Sequence, residues 1–295
     1  MYRDTLMLKL VHVTDTHLCP EGELLLGMDP VARFQQVMHS VSRRHDDADL
    51  LVISGDLTHR GDVVSYKLLR DCLKEIPISV RLLLGNHDKR DNFRAVFPDA
   101  KISPGGYVQA VDDFDDVRLV YLDTLGEGRF LPGQRRAIGR LEEDQLAWLK
   151  EQLAGAYQRR IIIFMHHPPR SVHAPAFDNI LLADRDRFWS VVQDSGNVEH
   201  IAFGHMHLTM TGRWGPVSFS CNRGTCHKIA LNLDDRRIDW VDGDSTYDVI
   251  LIDEAITVHH VDRVGPIAVT GFEIPTDDGS PTVLQQPKVG TSVYV

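Results

Sequence analysis

The sequence has no run of 18 or more apolar residues, so no membrane-spanning helix is expected. Its opening, MYRDTLMLKLVHVTDTH, passes directly into a strand-like pattern. It shows no long apolar core followed by a small-residue cleavage site, and no secretory leader is read there. Cysteine is scarce: Cys19, Cys72, Cys221 and Cys226 are the whole set in 295 residues. Four thiols so spaced do not form a disulfide framework, and a cytoplasmic location is the expectation. Cys221 and Cys226 lie close together, but no second pair accompanies them to complete a structural zinc site. Positive charge is also short, with 32 Lys and Arg against 42 Asp and Glu and a formal charge of −10. Such a chain gains little from a polyanion, so no nucleic-acid polymer is expected as partner. A small phosphate ester stays open, because a bound metal ion supplies positive charge locally.

What is present is ordinary globular material, 43% hydrophobic and 25% charged. Short runs rich in Val, Ile and Leu recur at residues 8–13, 50–54, 80–84, 117–122, 161–165 and 200–203, and each reads as a buried strand. Helical spacing fills residues 30–45, 62–75, 141–153 and 183–193. Strands alternating with helices argue for an α/β domain with both faces of the sheet covered. After Gly212 the pattern changes to consecutive strands at 216–221, 228–233, 237–242 and 247–253. Residues 257–295 are polar and weakly strand-like, an arm that either covers the domain or meets another subunit; a homo-oligomer is expected.

The residues that follow each buried run carry the chemistry. The first run leads to Asp15-Thr16-His17, the second to Gly55-Asp56 and the third to Gly85-Asn86-His87-Asp88. The fifth leads to His166-His167 and the sixth to Gly204-His205-Met206-His207, while the fourth ends in Asp123-Thr124 without a histidine. In an open α/β sheet, ligands collect beyond the carboxyl ends of the strands. Five distant positions are thereby brought to one place. Residues i and i+2 of an extended segment face the same side, so D-x-H and H-x-H each aim two donors at one point. Carboxylate with imidazole and no thiolate suits manganese, iron, zinc or cobalt. Singly, each motif has a plainer reading. Asn and Asp close turns through their own backbones, and an Asp after a strand caps the next helix. Five such motifs, in order and at the same structural place, are not accounted for in that way.

The ordered set D-x-H, G-D-x-x, G-N-H-D, H-H and G-H-x-H resembles the calcineurin-like metallophosphoesterase superfamily. The HHPP and GHMH segments are most similar to its class III cyclic nucleotide phosphodiesterase and glycerophosphodiesterase branch. The likeness covers residues 10–233. It implies a four-layer α-β-β-α sandwich, and the sequence pattern divides the chain into a catalytic domain over 1–255 and a C-terminal extension over 256–295 as an oligomerisation or capping arm. By matching motif, metal 1 falls to Asp15, His17 and His207, metal 2 to Asn86, His166 and His205, and Asp56 bridges them. His167 matches no ligand position and is expected beside the site.

The activity the resemblance implies is hydrolysis of a small phosphodiester, a cyclic nucleotide or a glycerophosphodiester, by attack of a metal-bridging hydroxide. His87 is expected to protonate the leaving alkoxide or to neutralise charge, with Asp88 orienting its ring and Gly85 allowing a sharp exit from the strand. Arg60 is a substrate-phosphate candidate or a surface ion pair. His173, Phe177 and Asp178 lie in a segment, 171–182, that is either a specificity loop or a plain connection. The alternatives are a phosphomonoesterase, including a protein phosphatase, and a non-catalytic metal-binding scaffold. Similar protein phosphatases carry Glu after the Asn-His pair, where Asp88 stands here, and the full ligand set argues against a scaffold.

Overall fold

A computed structural model describes residues 7–127, 137–234 and 237–264, and beyond them the backbone of four two-residue strands. The first half is a β-α-β-α-β unit: β1 (Leu8–Val13), α1 (Pro30–Arg44), β2 (Leu50–Ser54), α2 (Val63–Leu73) and β3 (Val80–Leu83). The strands pair in parallel, β1 with β2 and β2 with β3. Asp29 caps α1 by accepting from the N–H groups of Val31 and Ala32, with Pro30 at the first helical position. Asp62 caps α2 through Ser65.

The chain continues through α3 (Arg90–Val96), β4 (Ala110–Asp113), β5 (Val117–Tyr121), α4 (Glu143–Ala154), β6 (Arg160–Phe164), α5 (Arg185–Ser195) and β7 (Val198–Phe203). A hairpin of β8 (Met210–Trp214) and β9 (Val217–Cys221) follows. Next come a short ribbon of β10 (Lys228–Ile229) and β11 (Trp240–Val241), then β12 (Tyr247–Ile252) and β13 (Ile256–Val261). Strands expected at 228–233 and 237–242 are thus two residues each. Past them β14 (Pro266–Ile267) pairs with β17 (Val293–Tyr294), and β15 (Phe272–Glu273) with β16 (Thr282–Val283).

Two sheets result, ordered β13-β12-β1-β2-β3 and β4-β5-β6-β7-β9-β8. Leu10, Val52 and Leu83 of the first meet Leu119, Ile162 and Phe164 of the second. The opposite face of the first sheet, with Val11, Val13, Leu51 and Ile53, is covered by Phe34, Val37 and Val41 of α1 and by Tyr66 and Leu69 of α2. The outer face of the second is covered by Leu146, Leu149 and Leu153 of α4 and by Phe188, Trp189 and Val192 of α5. This is the expected α-β-β-α order of layers. Central strands buried on both faces read as unbroken apolar runs.

The first sheet does not stop at the expected boundary of 255/256. β13 pairs antiparallel with β12 over six residues and forms the sheet's edge. The proposed arm is therefore shorter than 256–295, and apart from the four short strands its part from residue 265 on lies outside the described residues. No helix among the described residues is long and apolar enough to cross a membrane.

Candidate metal centre

The carboxyl ends of β1, β2, β3, β6 and β7 carry Asp15, His17, Asp56, Asn86, His166, His205 and His207, as the motif spacing predicts. Their loops are laced together by backbone bonds: Asp15 N–H to Gly55 O (3.1 Å), His17 N–H to Asp56 O (2.8 Å) and Gly204 N–H to His166 O (3.2 Å). Asp15, His17, Asp56, His205 and His207 all adopt positive φ, between 45° and 68°. Non-glycine residues take this left-handed conformation rarely and at a cost, and it gathers at functional sites. Here it turns each side chain back into the space between the sheets' ends. Gly85 is not in that region. Its requirement is room, because a Cβ there would stand 2.7 Å from His166 Nε2 and collide with the Asp56 carboxylate.

The donor atoms face one another at 3.3 to 3.9 Å. His17 Nε2 lies 3.3 Å from His207 Nε2, 3.5 Å from Asp56 Oδ2 and 3.9 Å from Asp15 Oδ1. His207 Nε2 is 3.5 Å from Asp15 Oδ1, and His166 Nε2 is 3.4 Å from Asp56 Oδ1. Donors about 2.0–2.2 Å from a common ion stand roughly 3–3.6 Å apart, so most of these separations suit metal coordination. Asp56 turns one oxygen toward His17 and the other toward His166, which is the arrangement of a carboxylate shared by two ions.

Backbone carbonyls set the imidazole tautomers. Ser54 O takes His166 Nδ1–H (3.0 Å), His227 O takes His207 Nδ1–H (3.0 Å) and Ile180 O takes His205 Nε2–H (3.0 Å). A carbonyl only accepts, so in the neutral ring the other nitrogen carries the lone pair that a metal would take, and His166, raised to about 9, would release a proton on ligation. The Nε2 atom of His166 and the buried Oδ1 of Asn86 have no hydrogen-bond partner. Burial lowers the pKa of His17 and His207 and takes His205 down to about 3, so these rings stay neutral, as ligation requires. Burial opposes the charged form of both Asp56 and His166, yet their mutual attraction wins: His166 is raised to about 9 and Asp56 held well below the usual carboxylate range. The donor set fits a pair of metal ions.

Two expectations change at the GNHD loop and beside it. The Asp88 carboxylate does not reach the His87 ring. It accepts from the N–H groups of Gly85 (2.9 Å), Leu57 (3.1 Å) and Thr58 (3.2 Å) and from the Tyr66 hydroxyl (2.9 Å). His87 is oriented instead by His59, whose carbonyl takes its Nδ1–H (2.8 Å) and whose ring stacks on it at 4.9 Å. Arg60 is exposed and paired with Glu23 (2.6 Å). Phe177 is packed in the core beneath α4 and α5, and Asp178 accepts from Ser171, as does no group of the centre. His173 is exposed and held through its N–H to Ser171. None of these four makes a hydrogen bond or ion pair to a donor of the centre among the described residues. Segment 171–182 meets the centre through the Ile180 carbonyl, which accepts from His205.

His167 lies beside the centre as expected, with Nδ1 bonded to Thr124 Oγ1 (2.7 Å) at the end of β5. Sequence reasoning missed His227. Its ring stacks on His207 at 4.2 Å, and His17, His207 and His227 offer donors within 4.8 Å of one another. No motif spacing marks it, since it follows a loop rather than a buried run.

Residues 8–208 match the model of the calcineurin-like phosphoesterases. The chain belongs to that family, whose members hydrolyse phosphate esters with divalent metal ions. A probable cyclic nucleotide phosphodiesterase of Rhodopseudomonas palustris is 34% identical over 77% of this chain and 81% of that one. A glycerophosphodiester phosphodiesterase of Enterobacter lignolyticus is 29% identical over 77% of this chain and 81% of its own. These relatives place the likeness in the class III branch. A dimetal phosphatase from Danio rerio superposes with a TM-score of 0.65 at 14% identity, covering 87% of this chain and 96% of that one, and shares the fold.

Proposed function

We propose that this protein is a dinuclear-metal phosphodiesterase that hydrolyses a small diester, a cyclic nucleotide or a glycerophosphodiester. The observation that carries the reading is Asp56, whose two oxygens face His17 on one side and His166 on the other. Asp15, His17 and His207 would hold one ion and Asn86, His166 and His205 the other. Two such ions supply Lewis acidity and an activated water.

The chain's own residues supply position and protons. The His87 N–H donates to Asp56 Oδ1 (2.9 Å), which ties the imidazole's backbone to the shared carboxylate. With Nδ1–H given to His59 O, the half-buried ring presents Nε2 to the departing alkoxide. A protonated Nε2 there delivers the proton that the leaving group needs, or neutralises its charge. The four cysteines are free, in keeping with work in the cytoplasm. A homo-oligomer, with the C-terminal extension as its arm, is the assembly proposed.

Turnover of bis(p-nitrophenyl) phosphate beside p-nitrophenyl phosphate, under manganese, iron, zinc and cobalt in turn, tests this reading. Diester preference is expected. Monoester preference would overturn it, and bound metal without turnover of either would point to a scaffold.

A further inference from the structure

Trp240 is half exposed, at 49%, although its ring contacts the wall of the metal centre. It meets the His227 ring edge to face at 4.5 Å and the His207 ring at 5.8 Å. Single exposed aromatics are common and need no function. This one differs in how firmly it is placed. Trp240 pairs with Ile229 across the β10–β11 ribbon, and the Ile229 N–H donates to the carbonyl of His207 (3.2 Å). A second bond, Ala230 N–H to Asp239 O (2.9 Å), closes the ribbon beside it. The ribbon that holds Trp240 is therefore fastened to the backbone of a metal ligand.

The two imidazoles below are each only 4% exposed, so of these three rings it is Trp240 that offers a π face to a ligand. A flat, rigid, half-wet indole one ring away from the metal ligands suits a planar aromatic group joined to the reacting phosphate through one sugar. We infer that Trp240 is a stacking platform for the base of a nucleotide, which makes the cyclic nucleotide rather than the glycerophosphodiester the preferred substrate class. The inference rests on the phosphodiesterase reading of the same site. A quaternary ammonium headgroup favours several aromatic faces around it, and here both neighbouring rings are turned inward and buried.

The test compares AMP with ribose 5-phosphate, which keeps the phosphate and sugar and lacks the base. Calorimetric titration of the metal-loaded protein is expected to show AMP bound on the order of 10- to 100-fold more tightly, the range typical of base–aromatic stacking. Trp240→Ala should remove most of that advantage without changing ribose 5-phosphate binding, and Trp240→Phe should keep much of it. In turnover, Trp240→Ala should raise KM for cyclic AMP by a similar factor, and by clearly more than it raises KM for glycerophosphoethanolamine or glycerophosphocholine. Equal binding of AMP and ribose 5-phosphate by the wild type overturns the inference, as does a Trp240→Ala loss shared by both ligands or confined to glycerophosphocholine. If the wild type hydrolyses no diester but keeps a Trp240-dependent preference for AMP, the phosphodiesterase reading falls and the base platform stands. Hydrolysis of diesters with no such preference has the reverse meaning.

Discussion

The Asp88 carboxylate accepts from Gly85, Leu57, Thr58 and Tyr66, and so ties the loop carrying Asn86 and His87 to the loop carrying Asp56. Its oxygens hold the candidate metal donors in register rather than the His87 ring, although burial and the nearby Asp56 raise its pKa to about 7. Asp88→Asn would replace one acceptor oxygen with an NH2 group that faces other donors. Metal affinity should fall by roughly 10- to 100-fold, the usual consequence of losing an outer support of a metal site. Metal content after dialysis against a chelator measures it. A variant that kept its metals and shifted only the pH profile would return Asp88 to the role of orienting His87. His87→Ala should behave in the opposite way. The bond from its backbone N–H to Asp56 survives removal of the ring, so metal content should hold while kcat drops by about 100- to 10,000-fold if the ring is the acid. A series of diesters with leaving groups of rising pKa separates the two roles. An acid gives a loss that grows along the series, and charge stabilisation gives a uniform one.

At the scale of elements, β12 and β13 are joined by more than their ladder. Asp248 and His260 stand opposite each other, with His260 Nδ1 2.7 Å from Asp248 Oδ1. The bond to Asp248 raises the pKa of His260. Burial pushes Asp248 up, but His12 and His260 together bring it below the usual value. The sign follows for each group. The raised His260 contributes stability that is fully present below its unfolded pKa of about 6.5 and is lost as pH rises through the folded value. The depressed Asp248 contributes stability present above about pH 3.9 and lost as pH falls through its folded value. Wild type should therefore exceed His260→Gln most clearly between about pH 4 and 6.5, by roughly 1–2 kcal/mol, and less at pH 8.5. Urea unfolding at pH 5.5 and 8.5 reads the difference. A gap that widened with pH would contradict the pairing.

The elements also show what the sequence could and could not reveal. Residues 8–13 and 50–54 are legible to the residue because burial on both faces keeps their apolar runs nearly unbroken, with only Lys9, His12 and Ser54 polar. α3 is seven residues long and directly follows the metal loop, so its periodicity is too brief to register. The edge strands β4 and β8 are only partly buried, and MTGRW carries a glycine and an arginine. The seven candidate metal donors are legible because the fold sends them all to strand ends. Asp88's partners and His227 depend on which backbone groups lie opposite in space, and no spacing encodes that.

The whole molecule depends on both sheets staying in register beneath the centre, and a buried polar layer couples them there. From the first sheet His12 bonds Ser54 Oγ (2.7 Å), with Asp248 beside it. From the second, His200 bonds the hydroxyls of Ser218 and Ser220 (both 2.9 Å), and Asn222 past β9 donates to Asp248 (2.6 Å). His260, the last contributor, lies on β13 beyond the boundary that composition suggested. Ile256 and Val258 of the same strand pack against the core between the sheets. A chain cut after Ala255 would lose these contacts, bare the β12 edge and strip a buried carboxylate of a partner. Breaking one side of a buried pair costs about 3–5 kcal/mol, and an unpaired edge invites association. That truncation should unfold at clearly lower urea or run as aggregate in gel filtration, whereas a chain ending at Val264 should keep the unfolding midpoint and the metal content of the full protein. Equal stability of the two truncations would place the domain's end at 255 and reduce β13 to an accessory strand.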